Sequence, residues 1–221
     1  MGVYAEWRTG LPGVLAWRRD VGPAGSTARI LPDGCLDLMW RDGDLLVAGP
    51  DTTAQLAVSA PGTRWVALRF AAGIGPAVLG VPAAELRDLR VPLTDLWPAA
   101  ACHVPDDDPL RGLHRLVTAR WRRPDPLVTG IAARLRSGTP VAAVAAQTGL
   151  SARQLLRRSQ ESFGYGPKLL GRIMRLQRAL GRAQAGVPFA TVAAEEGYAD
   201  QAHLSRDVKE LAGVPLTTLL S

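Results

Sequence analysis

Between Val14 and Phe70 apolar residues come in short runs broken by turn formers, and after Phe70 they recur at helical spacing instead. Residues 14–17, 28–31, 35–40, 45–48, 55–58 and 64–70 read as strands. Gly22-Pro23, Pro32-Asp33-Gly34, Asp42-Gly43-Asp44, Gly49-Pro50-Asp51 and Pro61-Gly62 supply the turns between them. Strands this short and this closely spaced predict a small barrel or sandwich. Alternation along 35–40 puts Leu36, Leu38 and Trp40 on one face and Cys35, Asp37 and Met39 on the other. Asp37 is then either edge-exposed or buried with a partner such as Arg29, Arg64 or Arg69. Helical spacing follows at 82–87 and 110–117, with a shorter turn at 92–97.

Beyond a proline-flanked linker, Arg122-Arg123-Pro124-Asp125-Pro126, the pattern predicts helices only. They span 127–136, 141–148, 152 to about 163, 167–184, 189–196 and 201 to about 211. Leu169, Ile173, Leu176 and Leu180 draw one apolar stripe along the longest of them. A short pattern occurs twice here. Val144 to Leu155 and Val192 to Leu204 each hold a small-residue helix, a glycine (Gly149, Gly197) and an N-cap residue (Ser151, Asp200) that opens a second helix. Two short helices around a tight glycine turn form the helix-turn-helix unit, whose second helix can enter a DNA major groove.

Composition narrows the function. The chain has 221 residues, 47% hydrophobic and 21% charged, enough for two buried cores. No apolar run is long enough to span a membrane, the start does not resemble a secretion signal, and a cytoplasmic protein is expected. Cys35 and Cys102 make no disulfide framework, and Cys102-His103 near Asp106–Asp108 lacks metal-ligand spacing. Of the formal charge of +6, all resides in residues 126–221; residues 1–125 carry 14 Lys+Arg against 14 Asp+Glu. A basic half joined to a neutral one points to a polyanionic partner for the basic half alone.

The C-terminal order resembles the AraC/XylS-type transcription regulators. The resemblance rests on Ala193-Ala194-Glu195-Glu196-Gly197-Tyr198-Ala199-Asp200-Gln201-Ala202-His203-Leu204-Ser205-Arg206 and Gly213-Val214-Pro215 in the second unit. In the first it rests on Gly149, Ser151, Leu155, Arg157 and Gly164-Tyr165-Gly166-Pro167. One departure stands out: Ser159 occupies the place of the family's usual core phenylalanine, a gap that Phe163 or Leu156 is expected to fill. The run Leu31 to Trp40, with Ala48-Gly49-Pro50, is similar to an uncharacterised domain class that often precedes this module. The expected fold is α+β. A small cupin-like β-barrel with trailing helices covers 1–123, and an all-α domain of two helix-turn-helix units joined by a long linking helix covers 124–221.

Such a chain is expected to grip double-stranded DNA twice. An 18-residue linking helix spans roughly 27 Å, and helix half-widths bring the two recognition helices about 34 Å apart, one turn of B-DNA. Base contacts are assigned to Arg153, Gln154 and Arg157 in unit one and to Gln201, Ala202, Ser205 and Arg206 in unit two. Arg158, Arg172, Arg175 and Lys209 are assigned to phosphates. The neutral N-terminal domain either binds a small effector, through Asp37, Trp40, Trp65 and Arg69, or serves solely to form a homodimer or to contact RNA polymerase. A cavity of roughly 300 Å³ or more between its strands would favour the effector. With only His103 and His114 and no nucleophile–base pair in residues 1–125, no catalytic site, cofactor or metal is expected.

Overall fold

The computed structural model describes residues 2–220. Strands β1 (Val3–Arg8), β2 (Val14–Asp20), β3 (Ser26–Ile30), β4 (Leu36–Arg41), β5 (Asp44–Ala48), β6 (Gln55–Ser59), β7 (Arg64–Phe70) and β8 (Arg90–Pro92) build the N-terminal half. Six form an antiparallel sheet in the order β1-β2-β7-β4-β5-β8, while β3 and β6 pair as a separate ribbon. The β4–β5 hairpin turns at Asp42 (φ 47) and Gly43 (φ 98). Two consecutive positive φ values are what a two-residue turn needs to follow the strand twist, and Asp-Gly accepts them. The sequence pattern missed β1 and β8. Every residue of β1 is exposed, so it has no alternation to read, and β8 has three residues ending in proline.

The six-stranded sheet has two unlike faces. On one, Val14, Ala16, Leu36, Leu38, Trp40, Val66, Leu68 and Phe70 are buried against helices α1 (Gly75–Leu79) and α2 (Pro109–Arg120). Apolar area removed from water here is the main stabilising contribution of this half. The other face turns toward the β3–β6 ribbon and stays partly polar.

Helices α3 (Pro126–Arg136), α4 (Val141–Thr148), α5 (Ala152–Phe163), α6 (Pro167–Gln184), α7 (Phe189–Glu195), α8 (Gln201–Ala212) and α9 (Leu216–Leu219) build the C-terminal half. Its two cores share α6. Leu170, Ile173 and Met174 pack with Val128, Ile131, Leu135, Val144, Leu155 and Phe163. Leu176, Ala179 and Leu180 pack with Val192, Tyr198, Leu204, Val208 and Leu211. Phe163 is fully buried in the unit-one core while Leu156 is 44% exposed, so of the two expected fillers Phe163 is the one that packs inside. The Ser159 hydroxyl is itself buried without a hydrogen-bond partner.

Candidate nucleic-acid interface and effector cavity

Each pair α4–α5 and α7–α8 turns at a left-handed glycine, Gly149 (φ 68) and Gly197 (φ 75). Ser151 then starts α5 with a reciprocal cap: its hydroxyl accepts from the Gln154 N–H, and the Gln154 side-chain oxygen accepts from the Ser151 N–H at 2.8 Å. Asp200 starts α8 by accepting from the His203 N–H at 2.6 Å. Both recognition helices therefore begin at a fixed point, with their first-turn side chains directed to solvent. Arg153, Gln154, Arg157 and Arg158 are exposed on α5, as are Gln201, Ala202, Ser205, Arg206 and Lys209 on α8.

Their freedom differs residue by residue. The Arg157 side chain is 74% exposed and meets Glu161 at 3.8 Å. Gln154 has its oxygen committed to the cap, which leaves its amide N–H₂ to donate. Ser205 donates to the Gln201 carbonyl at 2.9 Å. Arg158 forms an exposed pair with Asp125 at 3.2 Å.

Arg172 and Arg175, assigned to phosphates from the sequence, have their guanidinia engaged within the protein. Arg172 donates to Asp207 at 3.0 and 2.7 Å and to Glu210 at 2.8 Å. Arg175 meets the same carboxylate at 3.4 Å and lies over the Tyr198 ring at 4.1 Å. Tyr198 donates its hydroxyl to Asp207 at 3.2 Å. Asp207 is 4% exposed, and a buried carboxylate demands such partners. Arg178 pairs with Glu196 at 2.6 Å, and Arg182 with Glu195. All four linking-helix arginines thus tie α6 to unit two. Burial works against the Arg172 charge, yet its bonds to Asp207 and Glu210 hold its pKa above the ordinary value. The sequence does carry a signal for Asp207, which sits in the buried α8 stripe with Leu204, Val208 and Leu211.

A cavity of about 320 Å³ opens between the six-stranded sheet and the β3–β6 ribbon. Its floor crosses the sheet as three rows fixed by the strand register. Trp17, Ala67, Met39 and Leu46 are aligned in the middle row. Arg69 and Asp37 lie to one side, and Arg19, Trp65 and Arg41 to the other. Ile30, Ala57 and Ser59 close it from the ribbon.

Asp37 accepts from the Trp17 indole at 2.7 Å and from Arg69 at 3.1 Å, so the partner among the expected three is Arg69. Burial raises the Asp37 pKa, and Arg69 and Trp17 oppose that rise. Burial also pushes up the Cys35 thiol, reinforced by Asp33 and Asp37. The Trp65 indole donates to Ser59 at 3.2 Å.

Trp40 does not belong to this site. It lies on the opposite, core face of β4, 3% exposed and under the Arg64 guanidinium. Strand alternation puts it there, with Leu36 and Leu38, away from Asp37. The sequence assignment missed Trp17, Arg19, Met39 and Leu46, because the register between β2, β7, β4 and β5 decides which side chains share the floor.

Comparison with known proteins divides the chain in the same way. Residues 130–221 match a helix-turn-helix domain family, and residues 14–92 match a domain of unknown function, DUF6597. No curated protein matches the sequence. Among solved structures, apo ToxT K231A from Vibrio cholerae strain SCE256 is similar over 96% of this chain and 98% of its own, with a TM-score of 0.51 and 12% identity. Wild-type ToxT of that strain with bound unsaturated fatty acid covers 97% of each chain, with a TM-score of 0.51 and 13% identity. ToxT from strain O395 gives 0.50 and 12% over 94% of this chain and 97% of its own. At such identities the likeness is one of fold. Among the described residues no three His, Cys, Asp or Glu are placed to hold a metal ion, and no helix is long and apolar enough to cross a membrane.

Proposed function

We propose that this chain, which matches a helix-turn-helix domain family over residues 130–221 and DUF6597 over residues 14–92, is a transcription regulator of the AraC/XylS type, that one copy reads two successive major grooves in the cytoplasm, and that a small molecule in the N-terminal cavity modulates it. The observation that carries this reading is the pair of recognition helices on one 18-residue linking helix, each with its first turn open to solvent. Arg153 and Arg157 pair with guanine edges in unit one, and Gln154 donates a single hydrogen bond. In unit two Gln201 and Arg206 read bases, Ala202 packs on a thymine methyl, and Ser205 adds a hydroxyl contact. Arg158 and Lys209 steady the phosphates, with Arg158 released from Asp125 on binding.

The effector half rests on the cavity. At about 320 Å³, with an apolar central row between polar flanks, it suits a small amphipathic ligand. The fatty acid held by a ToxT structure of the same fold is a precedent of that chemistry. A second reading has one observation in its favour: Val3, Tyr4 and Trp7 are exposed on the edge strand β1, an open edge that a second copy can pair with.

Selection of genomic fragments by the purified protein tests the DNA reading, and recovery of no shared motif contradicts it. Thermal-shift titration with an unsaturated fatty acid, using wild type and Met39→Trp, tests the cavity. A shift in wild type that the filled cavity abolishes supports the effector. No shift in wild type, together with concentration-dependent dimerisation in sedimentation, favours the second reading.

A further inference from the structure

The run Leu31-Pro32-Asp33-Gly34-Cys35 joins β3 to β4 and touches both the cavity and the helical half. Asp33 and Cys35 line the cavity. Leu31 packs against the unit-two core, and the Pro32 carbonyl accepts from the Gln177 side chain at 2.7 Å. Gly34 lies so close to α6 that a Cβ there would stand 3.1 Å from Leu170 and 3.3 Å from Met174.

On either side of this seam the N-terminal domain reaches the end of a recognition helix. Arg29 donates to the Ala212 carbonyl at 3.0 Å, and the Ala54 N–H donates to the Leu211 carbonyl at 2.7 Å, both in the last turn of α8. Arg87 donates to the Gly164 carbonyl at 3.4 Å, at the end of α5. Pro50 closes against the same glycine, where a Cβ would come within 2.6 Å of its ring. Gly164 and Gly213 are the left-handed residues that end α5 and α8, with φ 84 and 73. Carbonyls at a helix C-terminus lack intrahelical partners and carry partial negative charge, so a guanidinium there is doubly favourable.

We propose that the N-terminal domain is a clamp that sets the placement of the two recognition helices relative to each other, with Arg29 and Arg87 as its positioning residues. The two units have separate cores and share only α6. A body that holds the far end of both helices closes a triangle and removes the freedom that a single connecting helix leaves. The clamp rests on the two-groove reading and needs no effector.

The test is fluorescence anisotropy with the full chain on duplexes bearing its selected site, with the two half-sites moved by one or two base pairs, and on each half-site alone. Each added base pair rotates one half-site by about 34° and shifts it about 3.4 Å. Wild type is expected to lose about tenfold per base pair, while a chain carrying both Arg29→Ala and Arg87→Ala loses less than about threefold and keeps its half-site affinities. Arg29→Lys, which keeps the charge and can still donate, restores much of the spacing preference. If the double variant does not fold by circular dichroism, Gln177→Ala and Arg87→Ala alone carry the same comparison. A folded variant with wild-type spacing dependence overturns the clamp. Failure of the wild type to bind both half-sites on one duplex fails the two-groove reading instead, which separates the two outcomes.

Discussion

In unit two the basic side chains of the linking helix turn inward to acids; in unit one the basic side chains of the recognition helix turn outward to solvent. Five of the six acidic residues in 126–221 lie between Glu195 and Glu210. Four of them pair with Arg172, Arg175, Arg178 and Arg182, and Asp200 caps α8. Unit one has Glu161 alone, so Arg153 and Arg157 remain available. The same residue type, at helical spacing in both places, is paired with acids in one and stays exposed to solvent in the other. Local charge counts cannot separate those uses; the partner across the helix interface decides.

The strongest way to break this contrast is Asp207→Ala. It leaves Arg172, Arg175 and Tyr198 without their shared carboxylate and is expected to cost about 3 kcal/mol, at the low end for a broken buried pair because both guanidinia reach solvent. Urea unfolding measures it, and loss of the unit-two half-site with unit one still bound sharpens it. Next is Arg157→Ala, expected to lose about 1–3 kcal/mol on the selected site and to relax preference only in the unit-one half. Equal loss on random DNA removes its base-reading role.

A pair of variants then tests where phosphates are met. Lys209→Ala reduces the slope of log affinity against log salt by about one, as for one lost phosphate contact. Arg175→Ala leaves that slope unchanged and lowers thermal stability, since its guanidinium serves Asp207 and the Gly197 carbonyl. Smallest is Ser159→Ala, which removes a buried hydroxyl without a partner and raises stability by about 1 kcal/mol. A loss instead would mean that the hydroxyl is satisfied in solution.

Local signals made much of this fold legible. The two glycine turns, the Ser151 and Asp200 caps and the prolines at helix starts are written within a few residues of where they act. They delimit α4, α5 and α6 in the sequence as the structure has them. Alternation likewise separated the faces of β4. What the sequence did not show needed contacts distant along the chain. Trp40 was grouped with a cavity that its own strand face excludes, the cavity floor depends on four strands in register, and the linking-helix arginines find acids 13 to 38 residues away. β1 and α9 were missed because a wholly exposed strand and a four-residue helix have no periodicity to detect.

The central claim is that one chain occupies two successive major grooves, each through a differently built unit. Methylation-interference footprinting of the purified protein on its selected site, with one copy bound per duplex, tests it most directly. Two major-groove patches about 10.5 base pairs apart on one face of the duplex are expected. The patch met by unit one should weaken selectively in Arg157→Ala. A single patch, or a second that emerges only when two copies bind, would contradict it.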